Sequence, residues 1–316
     1  VHLLDFPEHP HWDACPQGPR SLHFSVDIRD RDLVSLAARG CTHIFHTAAL
    51  LNSIKPREVF FDINVNGTRN LCEIARENKV ERLFHFATSD VFGIPEEEDQ
   101  VFTEKSPYRQ WNEPYADSKI EAALLVKKFI KEEHLPATIV YPGWVYGPGD
   151  RQFFPTVMQM VRDKWVFTWH RKQAYEIDLI HIDDLMRAVM SMIELPIAVG
   201  EDYLILDNQT KLPPEQVYRI MADVMQVPIH GIKIPYPLMM AIAWVSQTLT
   251  QQGITQKHLL STTDVKAFGN AFHFKTDKAR RELGWQPSIK ASEGVRKSVE
   301  WQLQQNRPAI EMQSSV

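Results

Sequence analysis

The stretch from Leu83 to Asp150 admits few folds. Leu83-Phe-His-Phe-Ala-Thr-Ser89 is an apolar run ending in small hydroxylated residues, and Ala137-Thr-Ile-Val-Tyr141 is a second run ending in Pro142-Gly143. Between them lies Asn112-Glu-Pro-Tyr115-Ala-Asp-Ser-Lys119. Pro114 suits the first turn of a helix, where its missing N–H costs nothing, and the run from Ala116 to Val126 holds good helix formers. The order is strand, loop, helix, strand. On that helix Tyr115 and Lys119 lie one turn apart on the same face. An ammonium held beside a phenol favours the phenolate, lowering a pKa that starts near ~10 toward the range where Tyr exchanges a proton with an alcohol or carbonyl. A hydroxyl such as Thr88, reaching in from another element, would hold the oxygen in place. With eight tyrosines in the chain the Tyr-x-x-x-Lys spacing alone means little; its position between two strands gives it weight.

A chain of 316 residues, 44% apolar and 24% charged, can bury one large core or two moderate ones. The formal charge of −5, with no long Lys/Arg block, argues against a nucleic-acid partner. Three cysteines (Cys15, Cys41, Cys72) without Cys-x-x-Cys spacing favour free thiols in a reducing, cytoplasmic compartment over disulfides or zinc. His43 and His46 are three apart on a strand pattern with no third ligand, so no metal site is expected. The apolar run from Ile234 to Ser246 is too short and too proline-marked to span a membrane and reads as a packed helix. Weak surface association of residues 234–249 is the lesser alternative, because Gln247, Gln251 and Gln252 add no cationic face.

Together with Val91-Phe-Gly93 and the run Tyr141-Pro-Gly-Trp-Val-Tyr-Gly-Pro-Gly-Asp150, these segments resemble the extended short-chain dehydrogenase/reductase superfamily, of the NAD-dependent epimerase/dehydratase type, from Val1 to about Pro287. The resemblance implies an α/β fold, a Rossmann-type doubly wound parallel sheet with a smaller C-terminal substrate domain. Residues 1–150, with a return segment at about 178–208, would form the NAD-binding domain, and 151–316 mainly the substrate-binding domain. Tyr115 would be the acid/base, Lys119 would lower its pKa and bind the nicotinamide ribose, and Thr88 would position the substrate oxygen, with Ser89 the competing hydroxyl. Val1-His-Leu-Leu-Asp5 resembles the second strand of the fold; an acidic residue there accepts from the adenosine ribose and repels a 2′-phosphate, which favours NAD over NADP. Leu22 to Asp30 would be the third strand, bringing Asp27 and Ile28 to the adenine. Thr42 to Leu50 reads as a nearly continuous apolar strand whose Ala48-Ala49 end resembles the position under the adenine ribose. Pro142 would pack against the nicotinamide and Val145 would line its carboxamide. The strand and Gly-x-x-Gly-x-x-Gly turn that open such a sheet are missing from this sequence, and the expectation is roughly 25 to 35 further residues ahead of Val1.

Several further expectations concern the rest of the chain. Glu58 to Lys79 reads as one helix, in which Gly67 lets another backbone come close and Asn64 either holds a water or backbone carbonyl behind the Tyr/Lys pair or is structural. Asp183 or Asp184 would cap the helix that follows them. In Lys164 to Trp169, Val166 and Thr168 would face one side while Trp165, Phe167 and Trp169 face the other. The Gly143-Trp144 pair looks closer to the 3β-hydroxysteroid dehydrogenase and dihydroflavonol reductase branch than to sugar-nucleotide epimerases. The leading expectation is NAD-dependent interconversion of a secondary alcohol and a ketone on a hydrophobic substrate. Sugar-nucleotide epimerisation or dehydration, and a non-catalytic NAD-binding or scaffold role, are the alternatives. Apolar residues on more than one face of the helices at 58–79 and 115–133 point to a homodimer.

Overall fold

The computed structural model describes residues 1–6, 19–51, 55–97, 99–151, 153–164, 166–169, 176–229, 231–255 and 260–305. Cys15, Trp165 and the tail from Asn306 lie outside the described residues. The chain begins with β1 (His2–Asp5) and β2 (Leu22–Ser25), then α1 (Arg31–Ala37), β3 (His43–His46), α2 (Arg57–Phe61), α3 (Gly67–Glu77), β4 (Arg82–Phe86), β5 (Val101–Phe102), α4 (Pro114–Glu133) and β6 (Ala137–Pro142). There follow β7 (Trp144–Tyr146), α5 (Phe153–Arg162), β8 (Val166–Thr168), β9 (Leu179–His181), α6 (Ile182–Glu194), β10 (Asp202–Ile205) and α7 (Pro214–Met225). The C-terminal part adds β11 (Gly231–Lys233), α8 (Tyr236–Gln251), α9 (Thr262–Ala267), β12 (His273–Phe274), α10 (Asp277–Leu283) and α11 (Ala291–Gln305).

Four parallel strands in the order β10-β6-β4-β3 make the central sheet. Alternation along β4 sends neighbouring side chains to opposite faces. Leu83 packs with Cys72, Ala123 and Val126 under α3 and α4, whereas Phe84 joins Leu185, Met192 and Leu283 under α6 and α10. Helices therefore cover both faces, the doubly wound α/β arrangement. β1 and β2 pair in parallel as a separate two-stranded sheet. Leu4 and Phe24 of that sheet and Ile44 of β3 pack on one cluster with Val34 of α1 and Leu71 and Ile74 of α3.

Local chemistry explains the helix ends. Glu113 caps α4, its carboxylate accepting the N–H groups of Tyr115 (3.1 Å) and Ala116 (2.8 Å), and Pro114 occupies the first turn. At the other end His134 takes a left-handed conformation with φ 53°. The expected helix at 58–79 forms, but residues Asp62–Asn66 make a π-helical turn between α2 and α3. A Cβ at Gly67 would lie 2.4 Å from Cδ1 of Ile28, so the glycine admits the Ile28 side chain rather than a second backbone. The cap of α6 is neither Asp183 nor Asp184 but His181, whose Nδ1 accepts the Asp183 N–H at 3.2 Å. Asp184 is buried and serves as a tie to the C-terminal segment: it accepts the N–H groups of Ser288 and Ile289 and the Ser288 hydroxyl, each at 3.0 Å, and pairs with Arg187.

A second apolar cluster joins Tyr146, Phe154, Met158 and Leu179 to Met221 of α7 and Val295 of α11. In β8, Val166 and Thr168 are buried and Phe167 is half-buried, while Trp169 beyond the strand donates its indole N–H to the Val265 carbonyl at 3.0 Å. Among the described residues no helix is long and apolar enough to cross a membrane.

Candidate active site

Because β3, β4 and β6 run parallel and in register, their C-terminal ends share one edge of the sheet, the edge where open α/β sheets bind ligands. Ala48 and Ala49 follow β3, Thr88 follows β4, and Pro142 closes β6. α4 delivers Tyr115 in its first turn and Lys119 one turn later.

The pair does not behave as its spacing predicts. The Lys119 ammonium, buried at 3% exposure, donates to the Phe86 carbonyl at 2.6 Å, and burial lowers its pKa to about 8. The Tyr115 phenol is pushed above its ordinary 10, first by burial and then by the carboxylates of Asp90 and Glu113. The expected lowering by Lys119 is thus replaced by a rise, because the ammonium is aimed at the end of β4 and the charges facing the phenol are negative. Two buried histidines sit beside Lys119: burial, followed by the ammonium, holds His46 down to about 3 and His85 well below 6.5, so both are neutral. A second ring of contacts fixes the start of the helix. Asn64, in the π-helical turn, donates to the Ser118 hydroxyl (2.8 Å) and to the Leu50 carbonyl (3.1 Å), and accepts the Leu50 N–H (2.7 Å). The buried Asp117 pairs with Arg57 at 2.8 Å and accepts the Trp111 N–H at 2.9 Å.

Thr88 is extended, and its hydroxyl oxygen accepts the Asp90 N–H at 3.2 Å, starting the 3-10 turn Ser89–Phe92. Asp90, which the sequence reading gave no role, joins this turn. Burial pushes its pKa up to about 6, the Thr88 hydrogen bond opposes this, and Glu113 and Asp178 add to the rise. Asp90 and Asp178 line one pocket, whose walls are Trp111, Trp144, Phe268, Phe272 and Phe274. Trp111 donates its indole N–H to the Asp90 carbonyl at 2.6 Å and stacks on Phe272, and Trp144 meets Phe268 edge-on at 4.5 Å between ring centres. Asp178 pairs with Lys211, which also donates to the Phe272 carbonyl at 3.0 Å; burial outweighs that pairing and brings Asp178 to about 6. The adjacent Thr88-Ser89-Asp90 run was the only sequence signal for this acid; the aromatic wall after residue 260 had none.

The residues assigned to a dinucleotide fall at the strand ends with differing fits. Asp5 ends β1, where its carboxylate accepts the Phe6 N–H at 2.8 Å, a place suited to a ribose. The Asp27 carboxylate is gripped by Arg29 (Nη2 at 2.6 Å), and Ile28 is buried against Gly67. Both therefore serve packing and pairing here, and the Ile28 and Arg29 carbonyls beside them accept from the Asn70 side chain at 3.0 and 3.1 Å. Pro142 is buried, and Val145 on β7 is 37% exposed. Lys119 on α4 and the small residues Ala48 and Ala49 after β3 lie at the same edge of the sheet. Among the described residues no glycine-rich turn opens a helix for its pyrophosphate. No group of His, Cys, Asp or Glu among them is arranged to hold a metal.

A parallel doubly wound sheet with a Tyr/Lys helix behind the fourth strand defines an extended short-chain dehydrogenase/reductase. The sequence profile of the NAD dependent epimerase/dehydratase family matches residues 13–205, more than half of the chain, and the protein belongs to that family. It is 25% identical over 300 residues to 3beta-hydroxysteroid-dehydrogenase/decarboxylase isoform 2 of Arabidopsis thaliana, covering 89% of this chain but only 52% of that protein. The chain thus spans about half the length of that relative. To the dTDP-glucose 4,6-dehydratase of Mycobacterium tuberculosis it is 32% identical over 190 residues, 57% of this chain and 55% of that one. In fold it is similar to the crystal structure of DesIV, a dTDP-glucose 4,6-dehydratase from Streptomyces venezuelae with NAD and TYD bound, with a TM-score of 0.76, 24% identity, and 97% and 88% of the two chains covered.

Proposed function

We propose that the protein interconverts a secondary alcohol and a ketone on a hydrophobic substrate, steroid-, sterol- or flavonoid-like or a long-chain hydroxy or keto compound, with NAD. Residues 1–150, with 178–208, hold the cofactor, and 151–316 mainly shape the substrate site. The observation that carries this reading is Asp90: it joins Thr88, faces Tyr115 and lines a pocket with aromatic walls. Aromatic walls of this kind are the surface that receives a greasy substrate. Thr88 holds the substrate oxygen, and Tyr115 takes the hydroxyl proton in oxidation or returns it in reduction. A phenol with a raised pKa is a stronger base once ionised, and the Lys119 ammonium would hold the nicotinamide ribose. NAD, when bound, supplies the hydride acceptor.

The test is a screen of neutral hydroxysteroids, other secondary alcohols, their ketones and sugar nucleotides, read by NADH absorbance. Turnover of the neutral alcohols or ketones is expected. Turnover of sugar nucleotides alone would replace this reading with the dehydratase or epimerase one, which the 32% identity to the mycobacterial dehydratase supports although Ser89 leaves the dehydratases' pair of acidic residues after the threonine incomplete.

Lys119→Ala is expected to lower turnover at least about tenfold and to weaken NAD binding, since one ammonium serves the phenol and the ribose. Titration of protein fluorescence with NADH checks this, and unchanged affinity would remove the ribose role. We also propose a homodimer through α2, α3 and α4: Leu124 on α4 is 45% exposed and Val59 and Ile63 are half-buried, leaving apolar surface for a two-fold mate. Light scattering at micromolar concentration should give twice the chain mass; a monomer would refute the assignment.

A further inference from the structure

Resting on the dehydrogenase reading, we propose that His46 and His85 hold one buried water molecule against the Lys119 ammonium, which makes the two imidazoles positioning residues for the lysine. The placement comes from the sheet. His46 and His85 are register partners on the parallel strands β3 and β4, with ring centres 5.2 Å apart. Leu83, two residues before His85, packs under α3 and α4, and alternation along the strand sends His85 to that same side. Lys119 arrives there from α4, and its ammonium bonds the carbonyl of Phe86, the residue after His85. Thr68 of α3 and Asn64 of the π-helical turn complete the surroundings, and all five side chains are buried.

The bonds present fix which atoms are left over. The Thr68 hydroxyl donates its single hydrogen to the Asn64 carbonyl at 2.6 Å, so it accepts from Nε2 of His46 at 2.8 Å. Nε2 therefore carries the His46 proton, and Nδ1 presents a bare lone pair. Among the described residues, that Nδ1 and both ring nitrogens of His85 are buried without a hydrogen-bond partner. Buried polar atoms of this kind are where proteins keep ordered water. The rings do not escape by ionising, because burial and the ammonium hold His46 down to about 3 and His85 well below 6.5. A water molecule meets the demand: it donates to Nδ1 of His46 and to one nitrogen of His85, and accepts from Lys119. The ammonium has three hydrogens, so the Phe86 carbonyl, this water and the nicotinamide ribose each take one.

Two measurements decide the site without turnover. A crystal structure of the full-length protein at about 1.2 Å resolution should show a water within about 3.2 Å of Nδ1 of His46, of one ring nitrogen of His85 and of Nζ of Lys119. Rings bonded directly to each other, or no water between them, would overturn the proposal. His85→Leu should lower the midpoint of urea unfolding, because it strips the water of a partner. Removing an imidazole whose nitrogens bond nothing would instead raise the midpoint, and a raised or unchanged value also overturns the site. The positioning role has its own readout. The titratable groups around Lys119 are His46 from β3 and His85 from β4, both neutral, and the Tyr115 phenol on its own helix. Water bonded to an ammonium favours its charged form. NADH affinity, followed by protein fluorescence, should fall as pH rises through about 8 in the unmodified protein, the value to which burial brings Lys119. The midpoint of that fall should move down by at least about half a unit in His85→Leu and stay in place in His85→Gln, whose amide still bonds water. A midpoint that moves in neither variant, or equally in both, removes the positioning role. If no alcohol or ketone is turned over, the dehydrogenase reading fails separately, since density, unfolding and NADH binding are all read without turnover.

Discussion

Tyr115→Phe should lower kcat at least about a hundredfold while leaving NAD affinity within a few-fold, because it removes one exchangeable proton and almost no packing. The surroundings of the phenol sharpen this expectation. Asp90 and Glu113 both face the ring, so a water molecule taking over the proton transfer would have to stabilise a developing anion among carboxylates. Stopped-flow single turnovers separate the chemical step from product release. Comparable single-turnover rates in the variant would remove Tyr115 from the mechanism.

Asp184→Ala should cost about 3–5 kcal/mol of folding stability, the typical result of deleting one member of a buried charged hydrogen-bond network. The carboxylate is 1% exposed and is the shared acceptor for the Ser288 N–H, the Ile289 N–H, the Ser288 hydroxyl and Arg187, while the backbone carbonyl of the same residue accepts the Trp285 indole N–H at 2.9 Å. Burial opposes ionisation, but Arg187 and the donors from Ser288 and Ile289 hold the pKa below its ordinary 3.8. The folded value is the depressed one, so this contribution is fully present above pH 3.8 and is lost as pH falls through the lower folded pKa. Urea titrations at pH 7 should show the loss in the midpoint at nearly constant slope. A shift under about 1 kcal/mol would show that the C-terminal segment docks without this tie.

The central helix and the parallel strands were legible because their signals are local. Pro114 marks the start of α4, and the apolar runs at Leu83 and Ala137 bracket it. Other features were illegible for stated reasons. The run from Thr42 to Leu50 reads as one strand, yet β3 ends at His46, and the Leu50 backbone instead bonds the Asn64 side chain, a partner fourteen residues away. The π-helical turn at Asp62–Asn66 leaves no compositional mark, since the same residues suit an α-helix. His181 displaced the aspartates as the cap of α6 because Asp184 was claimed by Ser288 and Ile289, beyond the reach of local pattern. Spacing placed Tyr115 and Lys119 on one face but said nothing of where Nζ points, and the carbonyl that captures it ends a different strand. Burial raises the phenol's pKa most, and the acids that add to it come from the start of α4 and the turn after β4, so their joint effect exists only in three dimensions.

The pocket wall has a consequence for the order of assembly. Ser89, Asp90 and Trp111 on one side meet Phe268, Phe272 and Phe274 on the other, and β12 adds to β5 through the pairs His273–Val101 and Phe274–Phe102. More than one hundred and fifty residues separate the two sides in sequence. Closing so long a loop gives up chain entropy before any contact returns it, whereas β4, α4 and β6 are near neighbours in the chain. α4 can therefore be in place while the aromatic wall is still unmade, and a nascent or partly unfolded molecule would present Tyr115 to open water.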